Sequence, residues 1–252
     1  MVTSTVRIDW GARSHVGMVR TVNEDSFAAS PDACIWAVAD GMGGHAQGER
    51  ASQAVAACIE AVPPQEDMQS AVDAVADAIH RANADIFAEA SGLGVQMGTT
   101  IVALAIKDWQ FAVLWVGDSR AYLLRNGQLV QLTQDHTQVQ MMVGRGLIDA
   151  ADAESHPMSH VLSRAVGVQE ALELDVIVED IRPGDVLLLC SDGVHNLLRD
   201  AEIVARIQYG NLEEGLEEII RLCLERGAPD NATTIAVRVE EPTLLVFGPP
   251  AA

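Results

Sequence analysis

The sequence predicts an α+β chain, and two changes of period predict it. Apolar residues alternate or run in short blocks over 6–18 and 26–39, then recur at helical spacing from 46 to 90. From Thr99 the period of strands returns and holds, one irregular stretch apart, as far as Cys190; helical stripes and a last strand follow. Strands grouped in blocks, with helices between the blocks, are the pattern of an α+β fold and not of strict βαβ alternation. The 252 residues, 49% of them apolar, suffice for a sizeable core. No Pro/Gly/Ser-rich linker, repeat or low-complexity tract divides them, so one domain over 1–252 is expected.

The elements follow in order. Arg20–Ser26, between the first two strands, reads on its own as an ordinary hairpin connection. Ala51, Val55, Cys58 and Val62 mark a helix from Ala46 to Val62, stopped by Pro63-Pro64. Val72, Val75, Ile79, Ile86 and Ala90 mark a second over 67–90, broken by Ser91-Gly92-Leu93-Gly94. Strands are expected at Thr99–Ile106, Gln110–Val116 and Arg120–Arg125, with two-residue turns at Lys107-Asp108 and Asn126-Gly127. Residues 134–165 are polar, Met-rich and Gly-rich, with a weak helical pattern near 137–143, and read as a surface excursion or lid. Leu174–Asp180 and Val186–Cys190 are strands around a Pro183-Gly184 turn. Asp200 is expected to cap a helix to Ile207. Asn211 with Glu214 makes a capping-box-like start for the next, whose stripe is Leu212, Leu216, Ile219 and Cys223. Ile235, Val237 and Val239 alternate as a final strand. The apolar tail from Pro242 has no assigned role.

Charge narrows the function. A net charge of −20 argues against gripping a nucleic-acid backbone and suits cations or a basic partner, although a solvated acidic surface accounts for most of it. Met1–Ile8 lacks the organisation of a signal peptide, and no apolar run approaches the roughly 20 residues of a membrane span. A soluble, cytoplasmic monomer without membrane or nucleic-acid partners is expected. Cys34, Cys58, Cys190 and Cys223 are widely spaced without Cys-x-x-Cys, as buried thiols are.

One grammar recurs along the chain: an acid at the edge of a strand, beside glycine or a turn. The apolar run Ile35–Ala39 ends in Asp40-Gly41-Met42-Gly43-Gly44; the same pattern occurs at Gly117-Asp118, Asp192-Gly193 and Asp230-Asn231, with Glu24-Asp25 as a further pair. Any one of these is equally a plain turn. Gathered together they would repel and hold protons unless cations sat among them. An all-oxygen donor set without Cys or His spacing selects Mg²⁺ or Mn²⁺. Two such ions about 3.5–4 Å apart can share and ionise a water and present it to phosphorus.

Taken together, Arg20-x-x-Asn-Glu-Asp25, Val38-Ala-Asp-Gly-Met-Gly-Gly44, Gly98-Thr-Thr100, Val116-Gly-Asp-Ser-Arg-Ala-Tyr122, Leu132-Thr-Gln-Asp-His136, Leu162-Ser-Arg-Ala-Val-Gly167, Leu188-Leu-Cys-Ser-Asp-Gly193 and Asp230-Asn-Ala-Thr-Thr234 make the chain recognisable. It resembles the metal-dependent, type 2C serine/threonine protein phosphatases in their compact bacterial form, with the motifs in family order across nearly the whole chain. The resemblance implies a four-layer α-β-β-α sandwich of two antiparallel sheets flanked by helices, with metals in a cleft at one end. It implies that Asp40 bridges two Mn²⁺ or Mg²⁺ ions, that the Gly41 carbonyl binds one of them, and that Asp192 and Asp230 complete the first ion's shell. Glu24 and Asp25 would serve the second ion largely through water, and Asp118 with Asp192 matches a third-metal position. Arg20 matches the arginine that grips the substrate phosphate, Asn231 supports the site from behind, and 134–165 matches the substrate-choosing flap. The implied activity is hydrolysis of phosphoserine and phosphothreonine by a metal-bridged hydroxide, opposing a bacterial Ser/Thr kinase, with type VI secretion as one context.

One departure stands out: many eukaryotic relatives place a histidine directly after the bridging Asp-Gly, and this chain has Met42. His45 and His136 read as structural histidines, and His156 and His160, separated by Pro157, as surface residues. Two rivals remain at this level: an inactive phosphoprotein-binding regulatory module on the same fold, and an acidic cation-binding scaffold.

Overall fold

A computed structural model describes residues 7–44, 46–153 and 156–240. In chain order the strands and helices are β1 (Arg7–His15), β2 (Asp25–Ser30), β3 (Ile35–Met42), α1 (Ala46–Glu60), α2 (Met68–Leu93), β4 (Gly98–Thr99), β5 (Ile101–Lys107) and β6 (Gln110–Val116). The second half supplies β7 (Arg120–Arg125), β8 (Gln128–Gln131), α3 (Gln138–Gly144), α4 (Ala150–Ala153), β9 (Asp175–Asp180) and β10 (Val186–Cys190). It closes with α5 (Asp192–His195), α6 (Asp200–Ile207), α7 (Leu212–Glu225) and β11 (Ala232–Glu240).

The strands pair antiparallel into two sheets, ordered β1-β11-β10-β7-β8 and β2-β3-β5-β6-β9, with β4 added to the end of β3. Their buried runs are continuous because both faces are covered. Along β10, Leu187 and Leu189 enter the layer between the sheets, while Leu188 and Cys190 face α6 and α7. Along β3, Trp36 and Val38 point inward, while Ile35, Ala37 and Ala39 meet α1 and α2. The inter-sheet core contains Trp36, Leu104, Phe111, Leu187 and Val237, each essentially inaccessible. The architecture is the four-layer α-β-β-α sandwich.

Several local expectations need correction. Arg20–Ser26 is no hairpin: β1 pairs with β11 in one sheet and β2 with β3 in the other, so this stretch crosses between sheets. The β5–β6 turn is Asp108-Trp109, one residue later than expected, with both residues at positive φ (50° and 62°). Asn126-Gly127 does close the β7–β8 hairpin, at φ 53° and 76°. Asp200 is the first residue of α6 and not its cap; Arg199 takes that position, where its backbone N–H donates to Glu202. Asn211 caps α7 as expected, accepting from the Glu214 N–H at 3.2 Å. All four cysteines are free thiols. Among the described residues no helix is long and apolar enough to cross a membrane. The tail from Pro242 lies outside the described residues.

Candidate metal centre

Strand register brings the acids together. Asp25 faces Asp40 across the β2–β3 pair. In the other sheet Cys190 pairs with Thr234, so the turn leaving β10 and the turn entering β11 lie side by side, and the Ser191 N–H donates to Thr233 O at 3.0 Å. Face-to-face packing then presents Ser191 to Asp25, and its hydroxyl donates to Asp25 Oδ2 at 2.7 Å. Asp40, Asp118, Asp192 and Asp230 thus stand within electrostatic reach of one another at one end of the sandwich. β3 runs two residues past Asp40 to Met42, held there by β4, so this carboxylate sits inside a strand and is better fixed than a terminal one.

The loop from Val16 to Glu24 is anchored by one buried amide. Asn231 accepts from the Glu24 N–H at 2.8 Å and donates to Val16 O and Val22 O at 2.8 and 3.1 Å. That clamp sets Arg20, whose Nη2 donates to Asp230 Oδ2 at 2.7 Å. Glycine is needed where backbones meet most closely. A Cβ on Gly41 would lie 2.2 Å from Gly48 O, and one on Gly193 would lie 1.9 Å from Asn231 O. Neither position has room for any side chain.

Electrostatics set these acids against one another. Burial, then the charges of Asp25, Asp192, Asp118 and Asp230, hold the Asp40 carboxyl well above the usual range. Burial pushes Asp25 up to about 7 despite hydrogen bonds from Ser191 and Thr233, and Asp118 up to about 7 with help from Asp192. Asp192 is raised by burial and by Asp230. Asp25 Oδ1 is buried without a partner. Among the described residues no three His, Cys, Asp or Glu side chains form a ready-made cage. The donors nevertheless fit a hard divalent cation: all are oxygens, crowded and partly desolvated, and positive charge would relieve their repulsion. Asp25 is buried, and its Oδ2 accepts from the Ser191 hydroxyl.

The flap stands beside the cluster. Residues 134–165 hold α3 and α4, are closed on themselves by the Thr137–Leu162 bridge, and are tied to the body by Trp115 Nε1 donating to Gln134 O and the His136 N–H donating to Gly117 O, both at 2.9 Å. Between flap and sheet lies a polar cleft of about 740 Å³ lined by Asp118, Arg120, Gln140, His160 and His195 among others. His136 is structural, as expected: it stacks on Trp115, accepts from the Gly117 N–H at 3.1 Å and lies 3.3 Å from Asp175. His160, assigned to the surface, is exposed but also lines this cleft and acts on Asp192. His195 was not foreseen. Its Nε2 lies 3.1 Å from Asp118 O, and burial pushes it down to about 3, so it is neutral. Met42 lines a separate, largely apolar cleft with Met97 and Val168. His45 lies outside the described residues.

Comparison with known proteins agrees with this geometry. Residues 13–231 match the family model described as protein phosphatase 2C. The chain is 38% identical over 243 residues to the serine/threonine protein phosphatase PstP of Mycobacterium tuberculosis, covering 95% of this chain and 46% of that protein. It therefore spans about half the length of that curated relative. Among solved structures, PppA, described as a key regulatory component of T6SS in Pseudomonas aeruginosa, superposes with a TM-score of 0.85 at 38% identity, covering 92% of this chain and 97% of PppA. The catalytic domain of PstP in complex with two manganese ions gives a TM-score of 0.83 at 36% identity, covering 94% and 100%. With its motifs, its sandwich and its acid cluster in agreement, the chain belongs to the protein phosphatase 2C family.

Proposed function

We propose that this chain is a metal-dependent phosphoprotein phosphatase that hydrolyses phosphoserine and phosphothreonine and opposes a Ser/Thr kinase. The convergence of Asp40, Asp118, Asp192 and Asp230 from separate segments, with the proton affinities of Asp40, Asp118 and Asp192 raised by burial and by neighbouring acids, carries the reading. Asp40, the Gly41 carbonyl, Asp192 and Asp230 would hold the principal Mn²⁺ or Mg²⁺ ions, with Glu24 and Asp25 in support and Asp118 with Asp192 offering a third position. When bound, such ions activate water near neutral pH and neutralise charge on a phosphoryl group. Arg20 stands at the mouth, half-exposed, where its planar fork can exchange Asp230 for a phosphate dianion. Asn231 holds the Arg20 loop at the right height for that exchange. Met42 has no proton to donate, so position 42 does not supply the proton that the leaving alkoxide needs. The similarity to PppA supports a place in control of a secretion system.

The test is phosphate release from a phosphothreonine peptide, in manganese and in chelator, by the wild-type chain and by Asp40→Asn and Asp192→Asn. Release should require manganese and fall by ~100-fold or more in either variant, the scale on which one electrostatic stabiliser is felt. Tight peptide binding with no release would instead identify a phosphoprotein-binding module.

A further inference from the structure

Thr100 joins the backbone of Asp40 to the turn that carries Asp118 with one side chain. Its Oγ1 accepts the Asp40 N–H at 3.0 Å and lies 2.7 Å from Ser119 Oγ, next to Asp118. Its own N–H donates to Asp40 O at 2.8 Å, a carbonyl that also accepts the Thr99 hydroxyl at 2.9 Å. The other branch of the side chain works by shape: Cβ and Cγ2 of Thr100 lie 2.6 Å from where a Gly117 Cβ would be, so the Gly117-Asp118-Ser119 turn rests directly on them. Thr100 and Ser119 are 2% and 1% exposed, which keeps solvent from replacing either hydroxyl.

We propose that Thr100 is a positioning residue that sets the spacing between the Asp40 and Asp118 carboxylates and so tunes cation affinity; this rests on the reading that those carboxylates bind the ions. The chemistry selects threonine. A hydroxyl can accept from the Asp40 N–H and still share a second hydrogen bond with Ser119. The methyl fills the space that glycine leaves. Valine keeps the shape and leaves two buried polar groups unpaired; serine keeps the hydroxyl and loses the packing.

The experiment measures Mn²⁺ affinity by calorimetry on the chelator-stripped, dialysed chain, with thermal unfolding in chelator as the folding control. Wild type, Thr100→Val, Thr100→Ser, Ser119→Ala and the Thr100→Val/Ser119→Ala pair are compared. Groups that orient metal ligands typically contribute about 10–100-fold in affinity. Thr100→Val should lose affinity on that scale, Thr100→Ser should restore most of it, and the double variant should lose less than the two single losses combined. Wild-type affinity in a folded Thr100→Val would overturn the proposal, as would a Thr100→Ser no tighter than Thr100→Val. If Thr100→Val does not fold, Ser119→Ala decides: undiminished affinity there overturns the link. A wild-type chain that takes up no manganese would overturn the ion-binding reading itself, a result that the variants cannot imitate.

Discussion

Arg20 and Asp230 form an ion pair in the bare protein, and both are half-exposed. On the proposed function, a cation on Asp230 and a phosphate on Arg20 would be favoured together, since each would release the other's partner. Arg20→Ala should raise KM for a phosphopeptide by roughly tenfold or more, the scale of a charge-assisted hydrogen bond. Manganese affinity should stay level or tighten. Steady-state kinetics beside calorimetry would check this, and weaker manganese binding in the variant would contradict it. Each such acid or arginine taken singly reads as a plain turn, and these residues were legible only through their recurrence along the chain and the family resemblance of their motifs. Thr100, Ser119 and His195 were not. Their roles depend on which strand ends meet, and a buried hydroxyl or imidazole in a sequence gives no sign of that.

Elements repeat the lesson with a different cause. Helix α7 was visible throughout: its cap, its start and its stripe of Leu212, Leu216, Ile219 and Cys223 are all set by local chemistry and burial. Asn211→Ala should lower stability by about 1 kcal/mol through the lost cap. Ile219→Ala should cost about 2–5 kcal/mol through the cavity it leaves under the sheet. Urea unfolding distinguishes the two, and a smaller loss for Ile219→Ala than for Asn211→Ala would contradict the packing described. The turn after β5 slipped by one residue because Trp109 adopts a left-handed conformation that aromatic residues rarely take. The pairing of β1 was hidden for another reason. Its partner β11 lies more than two hundred residues away, and alternation names a strand's faces but never its neighbour.

For the whole molecule, acid crowding makes stability and cation binding one question. Asp25 and Asp118, held up near 7, keep protons in the folded state that the unfolded chain gives up at about pH 4. The cation-free protein binds more protons folded than unfolded between those values, so these groups lose stability as pH rises from about 4 to about 7. The histidines that burial lowers, His136 and His195, pull the other way. The clean observable is thus the gap between Tm in manganese and Tm in chelator, in which the histidine contributions cancel. That gap should widen by several degrees from pH 5 to pH 7.5, because the ion must displace fewer protons. A constant or narrowing gap would count against the cluster as the cation site.

The position of β11 has a consequence for how the protein comes into being. Among the described strands it comes last in chain order, yet it lies between β1 and β10, and the residue just before it, Asn231, ties down the loop that carries Arg20 and Glu24. During synthesis β1 must wait more than two hundred residues for the strand it pairs with. Sheet β2-β3-β5-β6-β9 with α1 and α2 can form early, but the acids it carries have no opposite wall. A nascent chain that stops before Asp230 therefore lacks both one acid of the cluster and the Asn231 clamp, and the two arrive together with β11.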